Sequence, residues 1–212
     1  MAGPCRSGKA NYAGRMSRPT LRQLADLPST PPSIRDSALV LVDCQNTYTY
    51  GVMELDGVQA ALEETATLLE RARSAGIPII HIQHNDGPGT PYDITAEVGA
   101  IVGSVAPRDG EPVVVKQFPN AFVQTDLDER LKAVGATNLV LAGFMTHMCI
   151  NSTARGAFNL GYAPTVVAAA TATRSLPGVG GAVSAAALQA ASLAALSDLF
   201  AVVVPDAAAV PD

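Results

Sequence analysis

Short runs of branched apolar residues alternate with stretches of helical period along most of this chain. Residues 38–43 form an unbroken apolar run closed by Asp43. Such a run, without polar alternation, is the pattern of a strand buried on both faces. Residues 58–74 put Val58, Leu62, Leu68, Leu69 and Ala72 along one helical face, and Gly76 then supplies a stop. The rhythm recurs, predicting strands over 77–83, 112–115, 138–142, 164–169 and 199–204, and helices over 126–134, 146–160 and 184–197. Strands joined through helices pair in parallel by right-handed crossovers, with helices on both faces of the sheet. The expected fold is therefore α/β, a three-layer α/β/α sandwich around a six-stranded parallel sheet. Residues 1–36, rich in Pro, Ser, Arg and Gly, break the rhythm and read as an arm lying over the surface or a neighbouring subunit, which leaves 37–212 as the domain. The Gly- and Pro-rich connections 85–111 and 174–181 are long enough to be candidate pocket walls.

Composition acts mainly by exclusion. A chain of 212 residues, 48% hydrophobic and 16% charged, has ample material for one buried core. A net charge of −5 with no basic block argues against nucleic acid or an anionic membrane as a partner. No apolar run approaches the ~20 residues of a membrane span, and the opening residues lack the apolar centre of a secretory signal, so a cytoplasmic protein is expected. Cys5, Cys44 and Cys149 fit neither a zinc spacing nor a redox pair, and each needs its own explanation as a thiol.

Ligands of open parallel sheets bind beyond the carboxyl ends of the strands. There the chain puts Asp43 after the first strand, Lys116 after the third, and Thr146 and Cys149 at the opening of the helix that follows the fourth. A neighbouring cation and a helix N-terminus both favour thiolate. A carboxylate in reach can take the thiol proton and return it to a leaving group, and N–H groups at the helix start can hold an oxyanion. Taken singly, Cys149 reads as a small buried hydrophobe, Asp43 as a loop cap and Lys116 as a solvated amine; their joint arrangement favours chemistry. Under two-residue alternation Cys44 faces the opposite side of its strand and reads as a packed structural thiol, while Cys5 reads as incidental. His81 reads as a hydrogen-bonded core residue. His84 faces the pocket or fixes the next loop, and His147 reads as structural or substrate-contacting. The aromatic residues Tyr48, Tyr50, Phe118, Phe122 and Phe144 divide between core and pocket wall. Gln45 and Asn46 are the nearest polar candidates, although Asn46 can serve only to hold the turn.

Three segments carry a resemblance: Asp43-Cys44-Gln45-Asn46 after an apolar strand, Lys116 followed by Asn120-Ala121-Phe122, and Gly143-Phe144-Met145-Thr146-His147-Met148-Cys149. Together they resemble the isochorismatase-like cysteine hydrolases, a superfamily that includes nicotinamidases, N-carbamoylsarcosine amidohydrolases and ureidoacrylate hydrolases. The stretches 143–161 and 50–55 look most like the branch that includes streptothricin hydrolase, which opens a lactam. The resemblance implies Asp43 as general base and acid, Lys116 as stabiliser of thiolate and oxyanion, and Cys149 as the nucleophile of an acyl- or carbamoyl-enzyme. It further implies a cis peptide between Phe144 and Met145, with the N–H groups of Met145 and Cys149 as the oxyanion hole. Substrate contacts are expected from Gln45, Tyr48, His84, Phe118, Asn120, Phe122, Phe144 and Thr146.

Metal-dependent nicotinamidases carry an Asp-x-His pair ahead of the second strand; the segment 72–76 offers no such ligand, so neither a metal nor any other cofactor is expected. Isochorismatases that cleave a vinyl ether by protonation can dispense with the thiol, and the presence of Cys149 argues instead for attack on a carbonyl. The expected activity is hydrolysis of an amide, carbamoyl or lactam C–N bond in a small organic molecule. The rivals are vinyl ether cleavage with Asp43 as acid, and a catalytically silent binding or scaffold member. The resemblance also implies a homo-oligomer, dimer or tetramer, for which the small side chains of 184–196 suit close helix packing.

Overall fold

The computed structural model describes residues 18–212; Cys5 and the first part of the expected arm lie outside them. Among these residues run eight strands, β1 (Ser37–Val42), β2 (Ile79–His84), β3 (Val113–Lys116), β4 (Asn138–Phe144), β5 (Ala163–Ala172), β6 (Leu176–Gly178), β7 (Gly181–Val183) and β8 (Val202–Val204). The helices are α1 (Leu21–Leu24), α2 (Val58–Ala75), α3 (Leu127–Ala133), α4 (Asn151–Asn159) and α5 (Ala185–Ser197). Six strands make one parallel sheet in the order β3-β2-β1-β4-β5-β8. The apolar stripe of α2, from Val58 to Ala72, packs on one face of the sheet with Leu39, Leu41 and Val140. Leu127 and Leu131 of α3, Ala154 and Ala157 of α4 and Leu196 of α5 cover the other face, against Val40, Val42 and Leu141. This is the three-layer sandwich that the periodicity predicts.

The chain order reverses between β1 and β4, the central pair, so the crevice of the sheet opens where those two strands end. That junction is unusually tight. Gly143 has φ +115°, and a Cβ there would run into the backbone carbonyl of Val42. Only glycine permits both the conformation and the approach. Asp43 leaves β1 in the left-handed region at φ 51°, with its N–H held by the Ile82 carbonyl at 3.0 Å.

Three elements differ from the sequence expectation. β5 continues to Ala172 because it bulges: Leu141 pairs with Val166 but Gly143 with Thr171, and within the bulge Ala169 donates its N–H to Pro205 beyond β8. The helix expected over 146–160 is two pieces, a π-type turn at Thr146–Ile150 followed by α4. The connection expected over 174–181 folds in part into the antiparallel hairpin β6–β7. Residues 18–36 lie on the chain's own body: Arg22 donates to the Pro28 and Leu199 carbonyls, and Ile34 enters the core.

Glu111 clamps the far end of the 85–111 connection. It accepts two hydrogen bonds from Arg73 of α2 (2.8 and 2.9 Å) and one from the Arg108 N–H (2.9 Å), and it meets His81 Nε2 at 3.1 Å, which makes His81 the hydrogen-bonded core residue expected. The Arg73 hydrogen bonds above all hold this carboxyl down at about 2. Glu111→Gln is expected to cost ~2 kcal/mol of stability at pH 7. Because the folded-state value is depressed, the wild-type advantage is present above the ordinary glutamate value of 4.5 and fades as pH falls toward about 2. Urea unfolding of both proteins at pH 7 and at pH 3 checks the size and the sign.

Candidate active site

Three strand ends at the switch point deliver three polar side chains into one buried spot. Asp43, after β1, is fully buried; Lys116, the last residue of β3, is 1% exposed; and Cys149, in the π-type turn after β4, is 5% exposed. Lys116 Nζ lies 2.7 Å from Asp43 Oδ2, 3.0 Å from His84 Nδ1 and donates to Cys149 Sγ at 3.4 Å. An ammonium has three hydrogens and no lone pair, so these three partners use all of it. His84 Nδ1 must then be an acceptor. Its Nε2 faces Asp86 Oδ1 at 2.8 Å and is the ring's donor. Beyond the Lys116 ammonium, neither oxygen of the Asp43 carboxylate has a partner among the described residues.

Charge in this cluster is governed by burial. Desolvation raises the Asp43 carboxyl above its ordinary value, against the pull of Lys116. Desolvation, and then the Asp43 charge, push the Cys149 thiol up to about 12, outweighing Lys116. Burial and the Asp43 charge thus work against the thiolate that the lysine favours, because the lysine charge is already matched by Asp43. The carboxylate bound to the same ammonium, Asp43, is the base available to receive the thiol proton. The peptide bond between Phe144 and Met145 is cis. The Met145 N–H donates to no acceptor among the described residues.

A cavity of about 190 Å³ opens over the sulfur, walled by Tyr48, His84, Tyr92, Pro119, Met145 and Met148. Of the side chains expected at substrate, Tyr48 and His84 are therefore on the wall. The others are committed elsewhere. Gln45 is a buried staple: its amide donates to the His84 and Gly99 carbonyls (2.9 and 2.8 Å), and its oxygen accepts from the His84 N–H (2.9 Å). Asn120 accepts from the Phe122 N–H at 3.0 Å and packs against Gly156 of α4, off the cavity wall. Phe122 stacks on Tyr162 at 5.8 Å in the core under α3 and α4. Phe144 is buried behind Tyr48, edge-on at 5.7 Å. Phe118 is 40% exposed and off the cavity wall. Thr146 is fully buried with an unpartnered hydroxyl but does not line the cavity. Asn46 holds its turn through the Glu97 carbonyl (2.8 Å), and His147 is tied to Thr173 (2.6 Å). Cys44 is packed in the core on the α2 side.

Sequence reasoning missed Tyr92, Pro119 and Met148. Tyr92 had one usable signal, its place in a connection marked as a pocket wall. It reaches the site edge-on to His84 and Tyr48, at 4.7 and 5.9 Å.

The Isochorismatase domain model matches residues 37–209. A secreted isochorismatase effector of Verticillium dahliae is 33% identical over 182 residues, 85% of this chain and 94% of that protein. A streptothricin hydrolase of Streptomyces noursei is 34% identical over 177 residues, 82% of this chain and 64% of that protein. A ureidoacrylate amidohydrolase of Azorhizobium caulinodans is 30% identical over 176 residues, 64% of this chain and 78% of that protein. The crystal structure of an isochorismatase from Pseudomonas putida is 34% identical with a TM-score of 0.88, covering 90% of this chain and 98% of that one. Among the described residues no helix is long and apolar enough to cross a membrane.

The buried pair makes a direct stability prediction. Lys116→Met or Asp43→Asn alone strands the other partner, so each is expected to cost ~3–5 kcal/mol, and the double variant much less than their sum. Chemical denaturation of the four proteins closes the cycle.

Proposed function

This chain belongs to the isochorismatase family of hydrolases, and on that premise we propose that it hydrolyses an amide, carbamoyl or lactam C–N bond of a small organic molecule through a covalent intermediate on Cys149. One observation carries the reading: a thiol opening on a cavity, with a lysine ammonium at 3.4 Å and, bound to that same ammonium, a buried carboxylate. The relative named as an amidohydrolase supports the same bond class.

In the proposed reaction the Cys149 sulfur attacks the carbonyl carbon while its proton passes to Asp43, whose raised affinity for protons suits it as the base. The C=O π pair moves onto oxygen, where the Met145 and Cys149 N–H groups and the Lys116 ammonium stabilise the negative charge. Collapse of this intermediate breaks the C–N bond. The departing nitrogen takes the proton from Asp43, leaving a thioester or thiocarbamate. Asp43, again ionised, then takes a proton from water as the hydroxide adds to the acyl carbon. The second collapse expels sulfur, which recovers its proton from Asp43 and releases the acid. Lys116 keeps its three protons throughout and serves as a fixed positive charge. A reducing, cytoplasmic setting suits a nucleophile that must remain a free thiol.

The second reading, acid-catalysed vinyl ether cleavage, rests on the same buried Asp43, whose proton affinity burial raises. Cys149→Ala separates the two. With a panel of amides, ureas and lactams, the hydrolase reading expects a wild-type acyl adduct on Cys149 by intact mass and a fall in turnover of ~10³-fold or more in Cys149→Ala. Turnover that survives the substitution contradicts it.

A further inference from the structure

The cavity over Cys149 has a property that the catalytic cluster alone does not require: its wall carries no lysine, arginine or carboxylate side chain. The phenols of Tyr48 and Tyr92 meet each other at 3.2 Å, and burial pushes both up, so they stay neutral. Pro119, Met145 and Met148 contribute only carbon and thioether sulfur. The His84 ring is engaged on both sides, its Nδ1 by the Lys116 ammonium at 3.0 Å and its Nε2 by Asp86 at 2.8 Å. Lys116 is not on the wall, and its ammonium is held by Asp43, His84 and Cys149. Asp86, which accepts from His84 and is half exposed, adds a negative charge on the far side of that imidazole and none to attract an anion.

Bringing a carboxylate or an ammonium into such a space without a partner costs several kcal/mol, far more than an apolar group of the same size. The space is also small. At about 190 Å³ it falls below the ~300–1,000 Å³ of most small-molecule sites. We propose, on the basis of the hydrolase reading above, that the substrate is a small uncharged carbonyl compound with an apolar acyl group, and that this chain rejects substrates carrying a carboxylate or an ammonium on that group. Tyr48, Tyr92 and Met148 are then the residues that set specificity, through what they lack.

The test compares two alkylating reagents of nearly equal size, neutral iodoacetamide and anionic iodoacetate, on the full-length protein. Each forms a C–S bond at Cys149 Sγ and expels iodide, with the thiol proton released to buffer. Rates at Cys149 are read by peptide mass mapping and divided by each reagent's rate with free glutathione. The expected result is a preference for iodoacetamide of about tenfold or more, falling to within about threefold in Met148→Arg, where a cation is added at the half-exposed mouth. Iodoacetate reacting as fast as iodoacetamide in the wild type overturns the proposal, as does a Cys149 that reacts with neither. A second arm offers butyramide and succinamate as acyl donors. Acylation by both at equal rates sinks the substrate class and leaves the hydrolase reading standing. Alkylation selectivity as expected, with no acylation by any uncharged amide, sinks the hydrolase reading itself and with it the substrate class.

Discussion

Two opposite charges 2.7 Å apart, both shut away from water, set the terms for everything else in this site. A buried ion pair of this kind gains little net stability, because the cost of stripping two ions of water offsets their attraction. The fold must therefore draw its stability from elsewhere, from the two apolar layers on either side of the sheet, and spends some of it to keep Asp43 and Lys116 together. What the pair achieves is local. It brings a strong proton acceptor into contact with a thiol while leaving the surroundings close to neutral, so the sulfur becomes nucleophilic only as its proton moves.

The sheet makes this possible by geometry rather than by sequence proximity. Reversal of strand order between β1 and β4 opens a crevice, and Gly143 lets the two strands close tightly at their ends. Asp43 and the turn bearing Cys149 then come from adjacent strands, while Lys116 reaches in from β3 past His84 on β2. His84 joins these levels: its backbone N–H is held by Gln45, its Nδ1 by the lysine, and its Nε2 by Asp86. Substitution at Gln45 would therefore act through His84, although Gln45 never meets a ligand.

Much of this could be read from the chain. The alternation of apolar runs and helical stretches is a local signal, and strand-end positions in a parallel sheet are where polar residues converge, so Asp43, Lys116 and Cys149 could be picked out together. The features that escaped depend on long-range contacts. The bulge in β5 exists because its residues bond to the segment beyond β8, which no window along β5 reveals. Phe122 looked equivalent to Tyr48 as an aromatic near a strand end, yet it turns toward Tyr162 and the core. Tyr92 carries no periodic signal and reaches the cavity only because its long connection is pinned at Glu111. What the sequence does not reveal is that the lysine is no free cation beside the sulfur: at 2.7 Å Asp43 lies closer to it than Cys149 does at 3.4 Å.

The most direct measurement of this arrangement is the ¹³Cβ chemical shift of Cys149 in protein labelled at cysteine, followed against pH. A neutralised lysine and a buried sulfur require the thiol shift at pH 7, with ionisation confined to strongly alkaline solution near 12, and an earlier ionisation in Asp43→Asn. A thiolate shift at pH 7 in the wild type would mean that the lysine charge is free to act on sulfur, and the account of the paired carboxylate would be contradicted.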